Sequence, residues 1–364
     1  MLSNAVKFWL GFVACLVCFE VLTSRAFHWS PAQREPRSAL QRFFEHGASI
    51  EAKLQRLVGA NGEEPADIVK AGWSDTQPAV APENWAEASR RVLIYGMSFS
   101  RRVGQQLAEL APGMCVVSRS APGAPPNHSI EVALMDPLRP EASDVVIGLL
   151  SSSIPKMKSA TGLFSMPEYP PPYSYPIYTR VADSTIKRSP PIASYKAFVE
   201  AFRATGESAL FSDHMSFLAA HDAYFDRFTW AQWPGSELTL MKLLRRSWAS
   251  RAKTITAASV YSATAGYKSE DPALAALPFM ISGLQEECNA RGQRFVVLLF
   301  HHRGEPGHLG RWLGPVLSKN GTRFVSSASV LDSTDPLNFL ADGHYKPEWD
   351  RAIAEQLESA LGGS

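Results

Sequence analysis

Beyond residue 90, the apolar positions fall into short unbroken runs separated by stretches of helical spacing. Val92 to Tyr95 is the first run, Met114 to Val117 the second and Asp144 to Leu150 the third. Phe295 to Phe300 is the most apolar, and Thr322 to Val325 gives a fifth. Between them, Phe99 to Leu110 sets Val103, Leu107 and Leu110 on one helical face, and Ile130 to Leu134 begins a second helix. Ala273 to Arg291 reads as a third helix, and Pro347 to Leu361 as a closing one with proline in its first turn. A strand wetted on one face alternates apolar and polar residues, whereas a strand covered on both faces does not. Continuous strands separated by helices therefore predict a parallel sheet between two helical layers.

That rhythm stops after Ser153 and resumes near Ala273. Pro167 to Pro176 holds five prolines and three tyrosines, which predicts an ordered, non-regular loop packed on the surface. Helices are expected around Ser194 to Thr205, Met215 to Phe228 and Leu238 to Ala252, together a helical insertion spanning about 155–272 on the sheet's ligand-binding edge. Upstream, residues 27–89 read as a stalk. Ser38 to Val58 has helical spacing through Leu40, Phe43, Phe44, Ile50, Leu54 and Leu57, and the Gly-, Pro- and acid-rich Gly59 to Asn84 reads as a linker. The α/β domain proper is assigned to 90–364.

Residues 1–26 carry the chain's targeting signal. Twelve uncharged residues, Phe8 to Phe19, follow Lys7, and Glu20, Val21 and Leu22 come next. A bilayer span needs about 20 apolar residues, so the segment suits a cleaved signal peptide or, through Leu22, a short uncleaved anchor. Either places the domain outside the cytoplasm. With 36 basic against 35 acidic residues, the chain has no basic excess for nucleic acid. Cys15 and Cys18 lie in the apolar segment, and Cys115 and Cys288 sit beside apolar elements, which predicts buried thiols instead of a disulfide. No cofactor or metal is called for. Asp213-His214 and His221-Asp222 could be drawn into a metal site, but their spacing fits the solvated polar faces of helices better.

Two segments carry chemistry. Gly96-Met97-Ser98 ends the first strand and enters a helix, setting a serine hydroxyl at the sheet's carboxyl edge, where open α/β sheets bind ligands. The backbone N–H groups of a helix start can stabilise an oxyanion. Asp342-Gly343-His344, just before the closing helix, can bring a general base and its orienting carboxylate to the same edge. Ser98, His344 and Asp342 then make an activated serine nucleophile. His301-His302 leaves the Phe295 to Phe300 strand at that edge and could either touch substrate or close off the strand.

In order and spacing these blocks resemble the SGNH, or GDSL-type, hydrolase superfamily, over residues 91–154 and 273–361. Val92 to Ser100 resembles the family's first block, whose serine is the nucleophile. Val116 to Gly123 resembles the second, which implies Gly123 N–H as an oxyanion donor. Asp144 to Leu150 resembles the strand entering the third block, and Leu340 to Pro347 the last, with Asp342 and His344 on one loop. Two positions depart. Met97 stands where the family usually has Asp, and Ser151-Ser152-Ser153 stands where it has the Asn that gives a third oxyanion donor, a role that would pass to Ser152. The Asp-x-His spacing is also seen in membrane-associated relatives that acetylate polysaccharides.

The resemblance implies a three-layer α/β/α fold with a parallel five-stranded sheet of flavodoxin-like order plus the insertion. It implies acyl-ester hydrolysis or O-acyl transfer through an acyl-serine, on acetylated carbohydrate. Met97 and the missing Asn motivate a rival expectation, a degenerate member that binds glycan or a partner protein without catalysis.

Overall fold

The computed structural model of the protein describes residues 3–26, 39–58, 72–76, 81–162, 173–182, 184–203 and 209–362. Pro167 to Pro172 of the proline–tyrosine loop, and most of the Gly59 to Asn84 stretch, lie outside the described residues.

In chain order the elements are α1 (Asn4–Ala26), α2 (Ala39–Glu45), α3 (Ile50–Val58), β1 (Arg90–Gly96), α4 (Ser98–Leu110), β2 (Met114–Ser120), α5 (Pro126–Met135) and β3 (Asp144–Leu150). The insertion follows. It opens on a 3-10 helix (Ser151–Lys158) and a hairpin of β4 (Ile177–Val181) and β5 (Ser184–Arg188). Then come α6 (Tyr195–Arg203), α7 (Ala209–His221), α8 (Arg227–Trp230), α9 (Thr239–Ala258) and a hairpin of β6 (Tyr261–Ser262) and β7 (Gly266–Tyr267). The α/β alternation resumes with α10 (Pro272–Ala275), α11 (Leu277–Ala290), β8 (Arg294–Phe300), α12 (His308–Lys319), β9 (Arg323–Ser326) and α13 (Pro347–Gly362).

The central sheet has five parallel strands in the order β2-β1-β3-β8-β9. Counting only its own strands this is 2-1-3-4-5, the flavodoxin-like order. β3 and the last six residues of β8 are buried throughout. Two separate apolar clusters cover the sheet. One, with Leu93, Tyr95, Val145 and Val297, holds residues of α5, α11 and α12; the other, with Val92, Ile94, Val146 and Val296, holds residues of α4 and α13. The fold is the expected three-layer α/β/α sandwich.

Several expectations are corrected. The single helix over Ser38 to Val58 is two, α2 and α3, broken at Gly47. A Cβ there would lie 1.9 Å from the Lys242 carbonyl oxygen of α9, so only glycine allows the approach. Ile50 and Leu54 of α3 share a buried cluster with Phe198, Phe202 and Trp230, so α3 packs into the insertion. His214 and Asp222 do not lie on solvated faces: both are buried. Asp222 binds Ser159 Oγ at 2.7 Å, Ala160 N at 2.9 Å and Tyr224 N at 2.8 Å, which ties α7 to the segment leaving β3. Burial pushes its carboxyl up to about 6. Cys115 and Cys288 are buried free thiols, as expected.

Candidate active site

The carboxyl ends of β1, β3 and β8, together with the loop before α13, build one constellation. β1 stops at Gly96, whose φ of 154° lies outside the usual range for residues with a Cβ. Space is as tight as the backbone: a Cβ would fall 2.2 Å from Ser100 Oγ. Met97 follows in extended conformation as the N-terminal boundary of α4, itself 1% exposed among Phe99, Leu150 and Phe300. Ser98 is therefore the first helical residue, and its N–H has no acceptor within the helix.

The histidine comes from a tight turn. Leu340 N donates to His344 O at 2.7 Å and Gly343 N to Leu340 O at 3.0 Å, with Gly343 at φ 86°. Phe339 and Tyr345 pair across the turn. Asp342 Oδ1 accepts from His344 N at 3.1 Å, an Asx-type turn that fixes the two side chains on one side. The turn delivers His344 Nε2 to 2.7 Å from Ser98 Oγ, and His344 Nδ1 to 3.0 Å from Asp342 Oδ2. The first contact is a hydrogen bond. The second is at ion-pair distance but off the line of the ring N–H, so the Asp342–His344 link is the looser of the two. Asp342 is 62% exposed while His344 is 23% exposed. The backbone hydrogen bond from His344 N first, and the nearby imidazole after it, hold the Asp342 carboxyl below its ordinary value.

The imidazole is also held by its face. Phe99, next to the serine, lies 4.9 Å from both the His344 and Tyr345 rings. Behind them Arg102, one turn after Ser98 on α4, binds Asp350 Oδ2 of α13 at 2.7 Å and the Tyr345 carbonyl at 3.1 Å. This pair clamps the serine helix to the histidine turn.

The proposed oxyanion donors lie on two other strand exits. Gly123 follows β2 at φ 63°, and its N–H finds no partner among the described residues. Its carbonyl accepts from Lys156 Nζ at 3.3 Å. Burial, with Lys253 adding repulsion, pushes the Lys156 amine down to about 8.

The three serines after β3 take three different roles. Ser151 is buried and bridges to β8: its Oγ is 2.7 Å from His302 Nδ1 and accepts from His302 N at 2.9 Å. Ser153 is buried and donates to Leu150 O. Ser152 alone is exposed, and its hydroxyl has no partner among the described residues. The structure thus brings Ser98, His344 and Asp342 into contact and leaves Ser152 as the serine of this run with a hydroxyl to offer. Of the paired histidines, His301 is fully buried and His302 faces Ser151.

Sequence reading missed the supporting groups Phe99, Arg102, Lys156, Ser151, Tyr345 and Asp350. Each acts through a partner on a different element, so no local spacing announces it. No group of three or more His, Cys, Asp or Glu among the described residues is arranged to hold a metal ion.

No protein-family model matches the chain, and no curated protein does. Among solved structures, the chain is similar to a presumed lipolytic protein of the G-D-S-L family from Desulfitobacterium hafniense DCB-2. The two share 8% sequence identity with a TM-score of 0.36, over 75% of this chain and 100% of that one. So distant a likeness carries no argument about chemistry.

Proposed function

We propose that the protein is a serine-dependent acyl-ester hydrolase or O-acyltransferase working through an acyl-serine. One observation carries the reading: Ser98 Oγ sits 2.7 Å from His344 Nε2, at the carboxyl edge of a parallel sheet and at the first residue of a helix. With the His344 proton on Nδ1 toward Asp342, Nε2 is the acceptor for the Ser98 hydroxyl proton. Ser98 Oγ attacks the ester carbonyl while His344 takes its proton. The tetrahedral oxyanion draws on the Ser98 and Gly123 N–H groups and the Ser152 hydroxyl, a third donor of a kind worth about 10²–10³ in rate. Collapse breaks the acyl C–O bond and His344 returns the proton to the leaving alkoxide. Water or a second hydroxyl then takes the acyl group by the reverse steps, releasing acid or a new ester and restoring Ser98. Asp342 orients the imidazole and balances its transient charge.

The resemblance of the four sequence blocks to the SGNH superfamily, with the Asp-x-His spacing of its membrane-associated polysaccharide acetylators and the expected exported location, supports acetylated carbohydrate as substrate. The apolar helix α1 supports a location outside the cytoplasm, at the membrane if α1 is retained.

A fluorophosphonate probe tests the core of the reading. Wild type should label covalently and the S98A variant should not. An unlabelled wild type overturns the enzyme assignment, and a labelled S98A overturns the nucleophile. Comparing acetyl release into water with transfer to an oligosaccharide then separates esterase from transferase.

A further inference from the structure

The insertion contains a face that catalysis does not use. α9 carries five basic residues, Lys242, Arg245, Arg246, Arg251 and Lys253, and no acidic residue. Its inner side, with Thr239, Lys242 and Arg245, is buried. Its outer side is apolar where water should meet it: Leu244, Trp248 and Ile255 are each more than half exposed. Their spacing of four and seven residues puts them on one stripe, with exposed Arg251 between Trp248 and Ile255. Just before α9, Trp233 and Leu238 are exposed as well, and Phe43 stands beside Arg246, whose guanidinium lies 4.0 Å over its ring. Outside α1, then, the exposed large apolar residues concentrate here. An amphipathic helix with Trp and Leu on one side and basic residues around it is the pattern of elements that lie in a bilayer interface.

A second observation says what covers this face. α1 has a 20-residue stretch, Asn4–Thr23, apolar and long enough to cross a membrane. Glu20 lies within it. A carboxylate there is costly in lipid unless partnered, and α9 supplies the partner. Glu20 Oε1 accepts from Thr239 N at 2.8 Å and Oε2 from Leu240 N at 3.2 Å, so Glu20 caps the N-terminus of α9. Thr23 Oγ1 adds a contact at 3.3 Å to Thr239 Oγ1. The membrane-crossing candidate therefore begins α9 at its own exit from the bilayer.

Buried Arg245 donates to backbone carbonyls, those of Phe228 at 3.0 Å and Gly47 at 3.2 Å, with the Glu237 carboxylate near enough to favour its charge. With His46, Lys53, Arg246 and Lys253 it lines a cavity of about 160 Å³ that no acidic residue lines among the described residues. Acidic groups do touch α9: Glu45 and Glu237 pair with Lys242 at 3.0 and 2.8 Å, and Asp226 accepts from Trp248 Nε1 at 2.9 Å. The cations left for phosphate-bearing headgroups are those of the cavity side and the stripe, Arg246 and Arg251 foremost.

We propose that α9 is a membrane-surface docking element. With α1 spanning the bilayer, Leu244, Trp248 and Ile255 enter the interface of an anionic phospholipid leaflet, and Arg246 and Arg251 meet its phosphates. Glu20 sets the angle between anchor and helix. Because α9 touches the 3-10 helix Ser151–Lys158, docking also fixes how the sheet's carboxyl edge stands above the lipid. The inference does not depend on the catalytic reading.

Full-length protein in nanodiscs of phosphatidylcholine alone, or with one-third phosphatidylglycerol, tests it. A benzophenone amino acid replaces Ile255 or, as control, Met135, which is 61% exposed at the end of α5. An unchanged unfolding midpoint shows that each variant is folded. Irradiation should give lipid adducts at 255 at least fivefold above those at 135, and severalfold fewer in the uncharged discs. Equal adducts at both positions, or a cross-linked second copy of the chain at 255, overturn the proposal. Glu20→Ala should lower the yield at 255 severalfold; an unchanged yield overturns the coupling between anchor and helix.

Discussion

Two histidines stand at the carboxyl edge of the sheet, and their surroundings are opposites. His301 is fully buried, with Nδ1 2.9 Å from Ser327 Oγ and Nε2 accepting from Gly310 N at 3.3 Å. Its backbone is bound as well: Tyr345 Oη accepts from His301 N at 2.9 Å and donates to its carbonyl at 2.7 Å. Burial first, with His302 and Arg311 adding repulsion, pushes the ring down to about 4. His344 is partly open to water, held by Ser98 on one side and an exposed Asp342 on the other. The hydrogen bonds of His301 put its proton on Nδ1, toward Ser327. In His301 the Nε2 lone pair is already taken by an amide, whereas in His344 it faces a hydroxyl that can give its proton up. On the proposed reading, this difference is what separates a structural histidine from a base: the useful ring is the one whose second nitrogen has exchangeable work.

Variants of the two rings should fail in different currencies. His344→Ala or Ser98→Ala should cut turnover by about 10⁶, as removal of a nucleophile or its base does, with the unfolding midpoint nearly unmoved. A comparable loss of stability in His344→Ala would break the contrast. His301→Ala should behave oppositely, costing about 2–4 kcal/mol in chemical denaturation because it empties a buried site and leaves Gly310 N without its acceptor. Turnover of the folded fraction should fall much less than in His344→Ala. If it falls as far with stability intact, His301 belongs to the chemistry.

Asp342→Ala sharpens the comparison further. The carboxylate is exposed and its contact to Nδ1 off-line, so steady-state kinetics should show a loss of about 10–10², well short of the 10⁴ typical of a buried triad aspartate. A loss near 10⁴ would mean the turn closes around it when substrate binds.

The smallest effect concerns carboxylates. Asp222 holds its proton to about 6 in the fold, against 3.8 ordinarily. Between those values the folded state binds more protons, so stability falls as pH rises through the window and returns on acidification, by at most about 3 kcal/mol. Wild type should therefore gain on Asp222→Asn between pH 7 and pH 4.5 in thermal unfolding. A difference independent of pH would remove Asp222 from the titrating set.

The sheet was legible in the sequence because strands covered on both faces must be continuously apolar, and the three contacting residues because strand exits and the pre-helix loop have few places to go. α12 was not foreseen: Gly310, Gly314 and Pro315 disguise its helical spacing, and packing on β7, β8, β9 and α11 sustains it. The hairpins β4–β5 and β6–β7 are too short and polar to show. The bond between Ser151 and His302 depends on register, since Leu150 pairs with Phe300 and Ser151 then leaves its strand beside the His301-His302 exit of β8. The break at Gly47 answers to a carbonyl nearly two hundred residues away. Such features belong to the assembled structure alone.

Met97 also limits what the position before Ser98 can hold. Its side chain is 1% exposed, shares one apolar cluster with Phe99, Leu150 and Phe300, and takes the Ser100 hydroxyl on its sulfur at 3.5 Å. An Asp placed there by a single change would bury a carboxylate with little besides that hydroxyl to receive it, at a cost of several kcal/mol. The first turn of α4 therefore admits a charged residue at 97 only if the packing around it changes at the same time.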